Sequence, residues 1–257
     1  MSRRLLAIES ATDWLSIALL DGDEVVLMLQ AEGTRQHASA LMPLIDRGLS
    51  EVDWSIDDVQ ALAVSTGPGS FTSLRIGLAT AKGLAFGRNW PAVSVSTLEA
   101  MALSVLEGDS AGITTGEGQG MLVLLDARRG QWYAGGWVRG AGSGGALKPI
   151  LAEGLYAPEH LVADLGRDVV VVTPDRGDWR GEFERAGLRF VATLEGEHAR
   201  PRADWVGRLG ARCLARGDGG PASELAARYL RRAEAEAQRL GGPVEAGEVA
   251  RVEGLEG

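Results

Sequence analysis

The stretch Thr66–Lys82, TGPGSFTSLRIGLATAK, decides the reading of this chain. Gly67-Pro68-Gly69 predicts a tight turn, because glycine tolerates positive φ and proline fixes the residue between. Ser70 stands at a helix N-cap position, where its hydroxyl can accept an orphan backbone N–H. Upstream, Ala61-Leu62-Ala63-Val64-Ser65 is a short apolar run that reads as a buried strand. The unit is strand, glycine turn, helix. Such a turn can offer backbone N–H groups and the positive end of a helix dipole to an anion. It serves equally well as a plain strand-to-helix connection, since a short glycine motif alone is a weak signal.

The helix that follows carries its own signal. Ser73, Gly77, Ala81 and Ala85 recur every fourth residue and form one ridge of small side chains, with Leu74 and Leu78 in the ridge beside it. Gly77 and Gly83 each cost about 1 kcal/mol against alanine inside a helix. Close approach by another backbone would explain that cost. Only Arg75 and Lys82 are charged, so the helix is expected to be covered on more than one side, by a core or by a core and an interface.

The 257 residues are enough for one large domain or two lobes, and 45% are hydrophobic, enough for a sizeable core. A net charge of −9 argues against holding nucleic acid unaided, because phosphate binding needs clustered cations. Cys213 is the single cysteine, which excludes a disulfide framework and a thiolate metal cluster. Met1-Ser2-Arg3-Arg4 runs directly into a strand-like segment without an apolar signal region, and no run is long enough for a membrane span. A soluble, cytoplasmic protein is the expectation.

In chain order, Leu5–Ile8 reads as a buried strand ending at Glu9-Ser10, and Trp14–Leu20 and Val25–Gln30 as two more, joined by a hairpin at Asp21-Gly22-Asp23. Ala38, Leu41, Ile45 and Leu49 give a helical stripe within Thr34–Ser50, with Pro43 expected to start or kink it. Glu51–Val59 is a polar link. Ala92–Val95 is a short strand, and Thr97 is the expected N-cap of a helix over Leu98–Leu106. Glu107–Gly120 has the composition of a boundary, placing one lobe at 1–106, a second at 107–240 and a flexible tail at 241–257. In the second lobe, Met121–Leu125 predicts a strand that turns at Asp126-Ala127-Arg128-Arg129-Gly130 into Gln131–Val138. Ala141–Gly145 reads as a flexible loop. A helix over Pro158–Leu165, a strand over Val169–Val172, a short helix over Asp178–Gly187, a short strand over Arg189–Val191 and an amphipathic helix over Ala203–Arg216 follow.

The run Gly67–Gly77 resembles the GPGSFTGLRIG signature of the TsaB (YeaZ) family of tRNA threonylcarbamoyladenosine biosynthesis subunits, with Ser73 where the family usually has glycine. Ala92–Leu106, Asp126–Tyr133 and Ala226–Arg231 resemble further segments of that family, so the likeness covers Leu5 to Arg231 and is strongest over Leu5–Leu106. It implies an α/β chain with a two-lobe actin-like (ribonuclease H-like) ATPase fold, each lobe a mixed sheet flanked by helices. It also implies a non-catalytic partner that pairs with and activates the transferase TsaD, together with the ATPase TsaE, in threonylcarbamoyl modification of tRNA adenosine. tRNA would then be met indirectly, and the chain could form a homodimer when alone. The enzymatic sister family carries a histidine pair for a metal on the first helix; this chain has only His37 there, so no metal and no catalytic residue are expected. A lone histidine beside a helix reads as a cap or surface residue.

Two sets of residues are candidates. Leu41, Leu44, Ile45, Ser73, Leu74, Gly77, Leu78, Ala81 and Ala85 are the expected partner interface. Glu9, Ser10, Gly67, Gly69 and Ser70 are candidate nucleotide or phosphate contacts, since active members of the superfamily carry an aspartate where Glu9 ends its strand. No cofactor is expected to bind tightly, and ATP only at an interface within the complex. One rival reading is an active ATPase or kinase of the same superfamily, with Glu9, Asp126 and the Gly67–Gly69 turn around a phosphate chain; no Gly-Lys-Ser/Thr follows that turn, so it is not a Walker A loop. The other is a metallopeptidase, which lacks visible ligands.

Overall fold

The computed structural model describes residues 3–31, 36–108, 118–140, 147–165, 168–175 and 177–231. The loop expected over 141–145, the tail over 241–257 and most of the boundary expected over 107–120 lie outside them. Elements run in the order β1 (Arg4–Glu9), β2 (Ser16–Asp21), β3 (Glu24–Gln30), α1 (His37–Glu51), β4 (Ala61–Gly67), α2 (Phe71–Ala85), β5 (Pro91–Ser96), α3 (Thr97–Glu107), β6 (Gly120–Asp126), β7 (Trp132–Arg139), β8 (Leu147–Tyr156), α4 (Pro158–Leu165), β9 (Val169–Thr173), α5 (Trp179–Ala186), β10 (Phe190–Glu195), α6 (Ala203–Arg216) and β11 (Gly220–Pro221).

The chain divides into two compact units, and the division is not the simple cut expected from sequence. One unit holds the described residues within 1–100 and 201–228, the other those within 101–200 and 229–231. The expected second lobe at 107–240 therefore loses α6 and β11 to the first unit. The reason is packing. Gly207 and Gly210 bring α6 so close to the first sheet that a Cβ on either would lie 2.3 Å from Leu20 Cδ1 or Ala63 Cβ.

In the first unit the strand order is β11-β5-β4-β1-β2-β3. β1, β4 and β5 are parallel neighbours, while β2 and β3 continue the sheet antiparallel. Side chains alternate between faces along each strand. Leu6, Ile8, Ile17, Leu19, Leu62 and Val64 point to one face and pack with Leu41, Ile45, Leu49 and Leu78 of α1 and α2. Leu5, Ala7, Leu20 and Ala63 meet α6 on the other. A sheet covered on both faces explains why β1 and β4 read as unbroken apolar runs.

In the second unit the order is β10-β9-β6-β7-β8. β10, β9 and β6 are parallel neighbours and β6, β7 and β8 antiparallel. Leu122, Leu124, Val169 and Val171 pack with Leu161, Leu165, Trp179 and Phe183 from α4 and α5. The ring of Trp132 meets Phe183 edge-on at 5.5 Å. Leaving β11 aside, the two sheets repeat one connectivity: a three-strand antiparallel meander whose first strand is extended by two parallel strands.

Local differences have physical causes. Pro43 lies inside α1, which starts six residues earlier at His37. His37 is buried rather than a surface residue, and its Nε2 has no partner among the described residues. The hydroxyl at the head of α3 that accepts an N–H, from Glu99 at 3.2 Å, belongs to Ser96 and not to Thr97.

Candidate functional site

At the carboxyl end of β1 the chain turns through Glu9, Ser10 and Ala11 directly beneath the glycine turn after β4. Glu9 Oε1 accepts the Ala11 N–H at 2.6 Å, and the Ser10 N–H donates to Ser65 Oγ at 3.2 Å. Glu9 is fully buried, and its Oε2 and the neighbouring Ser10 Oγ have no hydrogen-bond partner among the described residues. Burial pushes the Glu9 carboxyl up to about 7, against the opposing pull of the Ala11 N–H and the Ser65 hydroxyl.

The glycine turn is closed onto this strand end. The Gly67-Pro68 bond is cis, and Gly67 is left-handed at φ +111°. Gly69 has no positive φ; it is required for a different reason. A Cβ there would lie 2.1 Å from the Ala11 carbonyl oxygen, which accepts the Ser70 N–H at 2.6 Å. Ser70 caps α2 as expected, its Oγ accepting from the Ser73 N–H at 3.4 Å. The five candidate phosphate contacts are thus brought together, but Ala11 O stands where an anion would meet the Ser70 N–H. An oxygen carrying negative charge would be repelled by that carbonyl.

The small-residue ridge of α2 has an internal explanation. A Cβ on Gly77 would lie 2.2 Å from Ser10 Oγ. Leu41, Leu44, Ile45, Ser73, Leu74, Gly77, Leu78, Ala81 and Ala85 are all buried, and Leu41, Leu44, Ile45, Leu78, Ala81 and Ala85 belong to the apolar core of the first unit. What α1 and α2 turn outward is another set: Ala38, Ser39, Met42, Pro43, Asp46, Arg47, Ser50 and Glu51 from α1, and Thr72, Arg75, Ala79, Lys82 and Gly83 from α2, followed by Phe86. Phe86 is 86% exposed and Met42 42%. Nothing lies within 4 Å of a Cβ built on Gly83. Sequence periodicity located the ridge but could not say which side of it is inside. Gly77→Leu is therefore expected to overpack the core by about 1–3 kcal/mol rather than to block a partner. A denaturation midpoint equal to the parent's would contradict this placement.

In the second unit the equivalent first-strand end is Asp126. Its N–H donates to Asp175 Oδ2 at 2.8 Å, and its Oδ1 accepts the Arg128 N–H at 2.6 Å. Burial, with a smaller push from the Asp126 charge, raises the Asp175 carboxyl. Arg231 donates to Ala127 O at 2.5 Å, to Arg128 O at 3.3 Å and to Gln131 Oε1. Among the described residues no group of three or more His, Cys, Asp or Glu side chains converges as a metal site. No described helix is long and apolar enough to cross a membrane.

Two mixed sheets of repeated connectivity, each flanked by helices, define an actin-like ATPase fold. A family model described as TsaD, tRNA N6-adenosine threonylcarbamoyltransferase, matches residues 31–166. The tRNA threonylcarbamoyladenosine biosynthesis protein TsaB of Haemophilus influenzae is 32% identical over 170 residues, 64% of this chain and 68% of that protein. Its Escherichia coli counterpart is 36% identical over 130 residues, a match that spans 51% of this chain and 53% of that protein. The structure of YeaZ from Pseudomonas aeruginosa superposes with a TM-score of 0.74 at 27% identity, covering 89% of this chain and all of that one. The chain belongs to the TsaB (YeaZ) family.

Proposed function

We propose that this chain is a non-catalytic subunit in the formation of threonylcarbamoyladenosine in tRNA, one that pairs with and activates a TsaD-like transferase alongside the ATPase TsaE. The relatives' names supply the pathway. The observation that carries the partner role is the exposed side of α2 and the turn after it, where Phe86 stands exposed and Gly83 has no contact of its own to account for its helix cost; Met42 of α1 is exposed as well. Small residues at Ala79 and Gly83 suit a closely approaching helix. The same face could pair with a second copy as a symmetric dimer when the partner is absent. At the first-strand end, Glu9 and Ser10 are fully buried and the turn is filled by Ala11 O, which supports a scaffold over a nucleotide hydrolase. Nucleotide, if the assembly uses one, would bind where this subunit meets its partner.

Gly83→Leu gives a test in which stability and binding move in opposite directions. Leucine is the better helix former, so the isolated chain should gain roughly 0.5–1 kcal/mol. The new side chain should weaken binding to the transferase at least tenfold. Phe86→Ser should leave stability within about 0.5 kcal/mol, as for other exposed changes, and also weaken binding. Titration calorimetry against the purified transferase reads both; unchanged affinity in both variants would place the interface elsewhere. Calorimetry with ATP on the isolated chain tests the ATPase reading, which micromolar binding would restore.

A further inference from the structure

The turn between β6 and β7 is built at odds with its residue types. Four non-glycine residues among those described have positive φ: Asp53, Asn89, Arg128 and Arg129. Aspartate and asparagine are the residues that tolerate the left-handed region; arginine is not. Arg128 and Arg129, at φ 67° and 59°, precede Gly130 at 70°, so three left-handed residues follow one another. The turn is nonetheless rigidly held. Asp126 Oδ1 accepts the Arg128 N–H, Ala127 N–H donates to Gln131 O at 3.0 Å, and the Arg231 guanidinium ties Ala127, Arg128 and Gln131 together. A third cation is thereby fixed beside the first two. Arg128 pairs with Asp126 at 3.1 Å yet keeps 76% of its side chain exposed, and Arg129 is also exposed. Strain that the surroundings enforce, at exposed side chains, points to a use for those side chains. In a chain of net charge −9, this turn gathers three guanidinium groups.

We propose that the Arg128-Arg129 turn is an RNA-contacting surface, its guanidinium groups meeting phosphodiester oxygens of the tRNA within the assembled complex. The proposal rests on the tRNA-modification reading above, which supplies the class of anion; the geometry supplies the place. A charged N–H donor suits a phosphate oxygen, and a preorganised turn loses less freedom on binding than a flexible arm.

The test uses the chain bound to its transferase partner, with an unmodified tRNA transcript as probe and binding measured over a range of salt. Arg128→Asn with Arg129→Asn places a left-handed-tolerant residue at each position. The expected result is a melting temperature equal to or above the parent's, an RNA affinity at least tenfold lower and a salt slope shallower by about 1–2. Arg128→Lys with Arg129→Lys keeps the charge and the backbone demand, and should stay within about threefold of the parent's affinity while keeping its salt slope. Unchanged RNA affinity in the asparagine pair overturns the proposal. So does a lysine pair that binds RNA as poorly as the asparagine pair, because charge is then not what the turn supplies. Loss of transferase binding with RNA affinity intact would instead mark an acidic protein surface as the partner, and also overturns it. The functional reading fails separately, if the parent chain with transferase and ATPase yields no threonylcarbamoyladenosine, whatever the turn does.

Discussion

Gly69→Val is expected to destabilise the first unit by roughly 3 kcal/mol or more, against a total stability of about 5–15 kcal/mol for a typical domain. The expectation does not depend on a left-handed φ at Gly69. It follows from the Ala11 carbonyl, which a Cβ would approach to 2.1 Å, with the Ala11 carbonyl carbon and Cβ both at 2.8 Å. These are backbone and near-backbone atoms, so no rotamer change relieves the contact. Moving Ala11 away would break the Ser70 N–H to Ala11 O bond and disturb the head of α2. Gly69→Ala should already suffer most of this effect, since the clash is with the first side-chain atom. Gly83→Ala is the control, because nothing lies near its Cβ, and it should stabilise slightly. Urea denaturation of the three variants decides the matter. An unchanged midpoint for Gly69→Ala would mean that the Ala11 carbonyl lies further from Gly69 than a 2.1 Å Cβ approach implies.

This contact also shows how far the sequence could be read. Glycine, proline and the N-cap serine announce a turn through their own backbone preferences, so strand, turn and helix were legible from local chemistry. Which of the two glycines needs positive φ, and which needs space, is set by a strand more than fifty residues earlier. The same limit applies to the α2 ridge. A four-residue period of small side chains reveals close packing but not whether the neighbour is Ser10 of the same chain or a partner's helix. β8 was not anticipated because Lys148, Pro149 and Gly154 weaken its strand pattern; it forms by pairing with β7. α6 was legible as a helix, but its membership in the first unit was not, because Gly207 and Gly210 acquire meaning only against Leu20 and Ala63. At the β6–β7 turn the arginines were visible, whereas their left-handed backbone was not, since residue type argues against it.

Glu9 gives the second large effect, and it is one of pH. The folded chain holds this carboxyl at about 7, where its ordinary value is 4.5. Burial is the cause: an ionised Glu9 would be a charge out of reach of water, with Oε2 unpaired. Between these two values the folded state keeps a proton that the unfolded chain has released. The stability this group contributes is therefore complete below about pH 4.5 and falls as pH rises through about 7. The full difference is on the order of 3 kcal/mol. Glu9→Gln removes the titration while keeping an oxygen for the Ala11 N–H, so above pH 7 the variant should be the more stable chain by about 2 kcal/mol, with the advantage shrinking toward pH 5. Denaturant melts of both chains at intervals from pH 5 to 8 give the difference curve, in which other titrating groups such as Asp175 and Glu99 cancel. Parallel stability profiles would mean that Glu9 is hydrated or paired, and would reopen it as a ligand for a metal or a phosphate-bound cation. A sloping difference would leave it as a buried carboxyl that keeps its proton up to about pH 7, one poorly suited to the water- or metal-orienting task of a carboxylate at that strand end.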